Sequence, residues 1–167
     1  MERGTVIFLA LSFSMLLILV GANEYQTESS EDSESEPETT VEEDNRILEV
    51  CLQDHSGGIT HYHANLTIVI RGENQTVPAN TGVIPGCMRG IHTHDDTGKL
   101  HIETPESMEA RLEHFFEIWE QPFTSTSLLN ATAGEGETIT LTVNGVLVDD
   151  PQNHLIVNGQ DLVISLS

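Results

Sequence analysis

The sequence predicts an α+β domain, mainly antiparallel β-hairpins with one amphipathic helix. Three observations predict it. Residues His61–Arg71 alternate between an apolar face and a largely polar one, broken only by Val69, the period of a strand with one buried face. Short apolar runs recur around turn signals, above all Asn144-Gly145 and Asn158-Gly159. Between them, Met108, Leu112, Phe115 and Trp119 recur at helical spacing.

Not all of the 167 residues belong to that domain. Residues 5–20 are an apolar run of sixteen residues without a charge, preceded by Arg3 and followed by small residues. Segment 1–22 therefore reads as a secretory signal peptide or, left uncleaved, an N-terminal membrane anchor. Residues 23–44 hold ten Asp or Glu and no Lys or Arg. Such a stretch buries too little to offset its ordering entropy and is expected to be an acidic disordered linker. Residues 45–167 then form a single extracytoplasmic domain, secreted or held at the membrane only through the N-terminal segment.

Within that domain, His61–Arg71 is the first strand, with Tyr62, Ala64, Leu66, Ile68 and Ile70 on its apolar face. Gly72-Glu73-Asn74 turns the chain into Gln75–Pro78. Pro78 and Pro85 bound an irregular segment. Ile91–His94 and Lys99–Glu103 flank Asp95-Asp96-Thr97-Gly98, whose residue types favour a tight loop. In the resulting hairpin His94 pairs with Lys99 and His92 with His101. His92, His94, His101 and Glu103 then share one face, while Ile91, Thr93, Leu100 and Ile102 share the other. Thr104-Pro105 suits a helix start, giving a helix over about 105–120 with His114 off its apolar stripe and at the surface. Two hairpins close the chain, Glu137–Val148 and Leu155–Leu166.

The chemistry lies in the histidines. His61-x-His63 and His92-x-His94 each place two imidazoles on one strand face, and His101 adds a fifth. Neutral imidazole binds Zn(II), Cu(II), Ni(II) and Fe(II), so His61, His63, His92, His94 and His101 are candidate metal ligands. Asp95 and Glu103 are candidates for a further ligand or for orienting a ring. Five ligands exceed a closed tetrahedral set, which leaves one outside the shell, a five-coordinate ion, or two ions. Zn(II) or Cu(II) fits an imidazole-rich set. Met88 and Met108 are the only methionines beyond the N-terminal segment, so a methionine-rich Cu(I) carrier is excluded. His55 and His154 stand alone and read as ordinary polar residues.

The two cysteines, Cys51 and Cys87, are expected to form a disulfide in an oxidising compartment, with a Cys87 thiolate ligand as the alternative. The net charge of −21 argues against nucleic acid or an anionic membrane surface as partner. Metalloprotease H-E-x-x-H, hydrolase G-x-S-x-G and glycine-rich phosphate loops are absent from the sequence. Gly86-x5-His92-x-His94 is similar to the start of a cupin motif, but Gly98 and Lys99 stand where that motif needs a glutamate.

The stretch from Cys51 to about Phe123 resembles a family of exported or membrane-anchored prokaryotic proteins of uncharacterised activity. The likeness rests on Cys51, His61-Tyr62-His63-Ala64-Asn65-Leu66, Pro78-Ala79-Asn80-Thr81-Gly82, Cys87, the block from His92-Thr93-His94-Asp95 through Gly98 and His101 to Glu103, and Phe115-Phe116-Glu117-Ile118-Trp119. The resemblance implies export and histidines that act together. It also implies a glycine after the tryptophan, where this chain has Glu120. The final strands are similar to those of ubiquitin-like β-grasp domains.

The function expected first is an exported metal-binding domain for capture, delivery or sensing of the ion. One alternative is an extracytoplasmic metalloenzyme with Glu103 or Asp95 as general base. The other is a metal-free interaction module whose histidines change charge near pH 6.

Overall fold

The computed structural model describes residues 45–57 and 60–167. The expected signal or anchor segment and the acidic linker lie outside the described residues. Among the described residues no helix is long and apolar enough to cross a membrane.

The described residues open with a 3-10 turn, Arg46–Glu49, then β1 (Cys51–Leu52) and a second 3-10 turn at His55–Gly57. Strands β2 (Thr60–Ile70), β3 (Glu73–Gln75), β4 (Val83–Ile84), β5 (Cys87–Arg89), β6 (Ile91–His92) and β7 (Lys99–Thr104) follow. The helix α1 (Leu112–Ile118) separates them from β8 (Ser127–Leu128), β9 (Ala131–Thr132), β10 (Ile139–Val143), β11 (Val146–Val148) and β12 (Asp161–Leu166). The main sheet runs β11-β10-β12-β2-β7-β6, with β3 also paired to β2.

Strand β2 is the spine of this sheet. Ala64, Leu66, Ile68 and Ile70 are buried on one side, as the alternation requires. Its apolar residues continue across the sheet into Leu162, Ile164 and Leu166 of β12, which lies parallel to β2 with Leu66 opposite Leu162 and Ile68 opposite Ile164. Phe115 and Phe116 of α1 belong to the same core, together with Ile91, Leu100, Ile102 and Leu141. Each fully buried side chain of this size contributes about 1.5–3 kcal/mol of transfer free energy.

Three expectations need correction. The helix begins at Leu112, not Pro105, because the chain before it is bound elsewhere. Arg111 is extended (φ −99°, ψ 156°) and bridges Leu155. The Ile156 N–H donates to the Ala110 carbonyl at 2.7 Å and the Leu112 N–H to the His154 carbonyl at 2.9 Å. That ladder holds 110–112 in strand geometry. His114 is buried, not at the surface, and its Nδ1 accepts the Arg111 N–H at 3.1 Å at the helix start. The helix ends beyond Trp119 with Glu120 at φ +56°, a left-handed conformation that a glycine would adopt at lower cost.

The Leu155–Leu166 hairpin does not form. Its first arm pairs with Arg111, and its second, β12, pairs with β10 and β2. The Asn158-Gly159 turn bonds instead to β2: the Gly159 N–H donates to the His63 carbonyl at 2.7 Å. A long strand with a free edge outcompetes a three-residue local arm. The sheet is mainly antiparallel, as expected, with one parallel pair, β2–β12, among the described residues.

The other turns agree with the sequence. Asn144-Gly145 joins β10 to β11 with both residues at positive φ. The β2–β3 turn falls at Arg71-Gly72, one residue early. A second sheet, β1-β5-β4, is closed by the Cys51–Cys87 disulfide (Cα–Cα 4.9 Å) over a small cluster of Val50, Leu52 and Met88.

Candidate metal centre

Strands β2, β7 and β6 present one histidine each in a single row. His63 pairs with His101, and His101 with His92. The next row of β2 and β7 pairs His61 with Glu103. Period-two alternation sends all of these to the face opposite Leu100, Ile102 and Ile91, which are fully buried beneath.

The β6–β7 pairing matches the expected register at Ile91–Ile102 and His92–His101, then stops. His94 does not pair with Lys99. Thr93 leaves the ladder because its side chain is held elsewhere: its hydroxyl donates to the Pro78 carbonyl at 2.7 Å and accepts the Thr81 N–H at 3.0 Å. With Thr93 pinned inward, His92 and His94 both turn to the histidine face, with ring centroids 4.8 Å apart.

All five expected ligands converge. Ring centroids are 4.4 Å apart for His63 and His101, 4.6 Å for His94 and His101, and 4.9 Å for His61 and His63. A sixth histidine joins them. His55, set aside as isolated in the sequence, lies 5.1 Å from His94 and 6.1 Å from His61. The disulfide four residues before it ties its segment to β5, next to the site, and that link is invisible in the spacing of histidines alone. His154 stays apart, with its Nε2 3.2 Å from Gln160 Oε1.

The described residues contain two groups that could hold a metal ion. His55, His92 and His94 bring one nitrogen each within 4.8 Å of one another, as do His61, His63 and His101. His92 Nε2 and His94 Nε2 are 3.2 Å apart, and His63 Nε2 and His101 Nδ1 are 3.1 Å apart. Two nitrogens bound to one tetrahedral Zn(II) at 2.0–2.1 Å would be about 3.3–3.4 Å apart, so small ring movements suffice.

Two rings are also fixed from behind. His92 Nδ1 donates to the Arg89 carbonyl at 2.9 Å, and His55 Nδ1 donates to Glu103 Oε2 at 2.7 Å. Each bond leaves Nε2 as the ligand atom, the arrangement usual for metal-binding histidine. Burial pushes the His92 imidazolium down to about 4, helped by the neighbouring His94, His101 and His55 rings against the opposing Arg89 bond. Burial and the His63 and His94 rings push His101 to about 4. Burial, with His61 beside it, lowers His63 as well. His92 and His101 are therefore neutral, and able to bind a metal, throughout the physiological range.

The two candidate carboxylates diverge. Asp95 faces its own loop, accepting the Thr97 hydroxyl at 2.5 Å and the Thr97 N–H at 3.0 Å, and these bonds lower its pKa. Glu103 takes the ring-orienting position beside His55. It is fully buried, and its Oε1 has no hydrogen-bond partner among the described residues. A buried polar atom left so costs about 1–3 kcal/mol unless a cation or donor meets it. The cysteines form a disulfide and not a thiolate ligand.

Comparison with family models, curated proteins and solved structures finds no match to this chain.

Proposed function

We propose that the domain binds a transition metal, Zn(II) or Cu(II), outside the cytoplasm, for capture, delivery or sensing of the ion. The observation that carries this is the convergence of six imidazoles from three strands, the loop after β6 and a tethered turn, two of them held in place through Nδ1. An all-nitrogen donor set favours these borderline ions over Mg(II) or Ca(II). The disulfide supports an oxidising compartment, in keeping with export and with the expected N-terminal signal or anchor. The net charge of −21 raises the local concentration of any cation.

Binding is preferred to hydrolysis because neither candidate general base is poised over the rings: Glu103 is sealed from solvent and held to His55, and Asp95 is bonded to Thr97 within its own loop. The depressed values of His92 and His101 also count against a metal-free charge switch near pH 6 at those two rings.

Elemental analysis of the full chain purified from its source tests the reading. Stoichiometric Zn or Cu is expected. The double substitution His92→Ala/His94→Ala should lower metal content while the circular dichroism spectrum is retained. Folded wild-type protein that carries no metal and ignores added Zn(II) and Cu(II) overturns the reading.

A further inference from the structure

Six imidazoles are more than one ion uses, since a tetrahedral site takes four ligands and a catalytic or exchangeable one takes three. Their nitrogens gather in two separate trios. The trios adjoin: His94 and His101 stand 4.6 Å apart by ring centroids, and His92 and His101 5.4 Å. Glu103 lies on the seam. It is the cross-strand partner of His61 in one trio and accepts the His55 N–H of the other. Its second oxygen is buried without a hydrogen-bond partner among the described residues. A carboxylate oxygen sealed from water at that place calls for positive charge nearby.

We infer that the cluster holds two transition-metal ions side by side, one in the His55–His92–His94 trio and one in the His61–His63–His101 trio, with Glu103 between them. This rests on the metal-binding reading above. The two positions are unequal. In the first trio, Arg89 and Glu103 hold two rings in place before an ion arrives. Each trio has one ring–ring contact to surrender on binding, His92–His94 in the first and His63–His101 in the second, but no ring of the second has an Nδ1 bond to a backbone carbonyl or carboxylate among the described residues. The first ion is therefore held tightly and the second exchanges readily, which suits a protein that passes an ion on.

The experiment uses the metal-stripped full chain, titrated with Zn(II) against a chromophoric chelator, with stoichiometry read by native mass spectrometry. The double variant His55→Ala/His63→Ala sets the background from carboxylates. Wild type should hold two equivalents above it, and His55→Ala and His63→Ala one each. Excess chelator should strip His55→Ala at least tenfold faster than His63→Ala. Loaded fully with Cu(II), the wild type should give a spin-coupled EPR spectrum that each single variant loses. If circular dichroism shows that an alanine variant is unfolded, the glutamine variant at the same position supplies the comparison. A single equivalent in wild type, abolished by either substitution, means one shared ion and overturns the inference while leaving metal binding intact. Two equivalents without spin coupling overturn the side-by-side placement. No equivalent above background in folded wild type overturns both readings.

Discussion

Glu103 Oε2 accepts a hydrogen bond from His55 Nδ1 at 2.7 Å across 48 residues of sequence, joining the end of β7 to the 3-10 turn that follows Cys51. The carboxylate is buried and the imidazole half exposed. A bond between such partners orients the ring more than it stabilises the fold, because the exposed side surrenders hydration only in part. Glu103→Gln preserves shape and keeps an acceptor, but removes the charge. Metal affinity should fall about 10–100-fold, read by competition with a chelator of known affinity. The melting temperature of the metal-free protein should change little. An unchanged affinity would mean that Glu103 orients nothing.

The depressed histidines set a pH dependence for the metal-free protein. Folded His92 titrates at about 4, whereas the unfolded side chain takes its proton at the ordinary 6.5. Between those values the unfolded state binds more protons, so stability rises with pH across that window and falls as acid is added. It is fully present above about 6.5 and its loss is complete below about 4. For the buried His92 the loss amounts to about 3 kcal/mol. His101 acts in the same direction with a smaller effect, being partly exposed. Urea unfolding of stripped protein at pH 7 and pH 4.5 should show this drop, and His92→Gln should shrink it. Equal stability of the wild type at both pH values would contradict the account.

Much of this was legible in the sequence, and the parts that were not have physical causes. The alternation of His61–Arg71 put His61 and His63 on one face of β2, and the Asp95–Gly98 turn put His92 and His101 on one face of a hairpin, because strand periodicity and turn chemistry are local; the β2–β7 pairing that joins the two groups is not. The register of His92 against His101 followed from the same two signals. What failed was non-local. Met108 fits a helical stripe, but residues 110–112 are drawn into a ladder with 154–156, and no local signal announces that partner. Leu155–Val157 looks like a hairpin arm until the long edge of β2 competes for β12. His55 carries no periodic neighbour, and its turn is brought against the sheet by non-local ties, the Cys51–Cys87 bond, the β1–β5 pairing and the contact with Glu103.

That bond is itself a testable part of the site. The disulfide closes a loop with a sequence separation of 36 residues and contributes about 2–4 kcal/mol in the chain-entropy account. Only two residue pairs, Cys51–Arg89 and Leu52–Met88, otherwise tie β1 to β5. Cys51→Ser/Cys87→Ser should therefore lower the melting temperature. It should also weaken binding at the His55 trio more than at the His61 trio, since His61, His63 and His101 all lie on β2 and β7. Comparing the variant with and without His55→Ala separates the two effects. If removal of the disulfide weakens binding equally whether or not His55 is present, the tether does not act through that ring.

Gly82 offers a probe that touches no ligand nitrogen. Its φ is +77°, and a Cβ there would come within 2.7 Å of the Ile91 carbonyl oxygen, 3.0 Å of Ile118 and 3.2 Å of His92 Cβ. The backbone also pairs at this point, with the Arg89 N–H donating to the Gly82 carbonyl at 2.8 Å. Alanine would thus combine left-handed strain of about 1–2 kcal/mol with pressure on β6, the strand that carries His92. Ile91 cannot retreat, because its side chain is fully buried in the core. The relief must come from a shift of β6, which would move His92 Nε2 off its trio. Gly82→Ala should lower the melting temperature and reduce metal affinity together. The conformationally similar but remote Gly145, at φ +81° with open space around its Cβ position, serves as the control. Gly145→Ala should destabilise through backbone strain and leave the affinity untouched. Loss of affinity in both variants would trace the effect to general loosening of the domain, and not to the contact between Gly82 and the strand of His92.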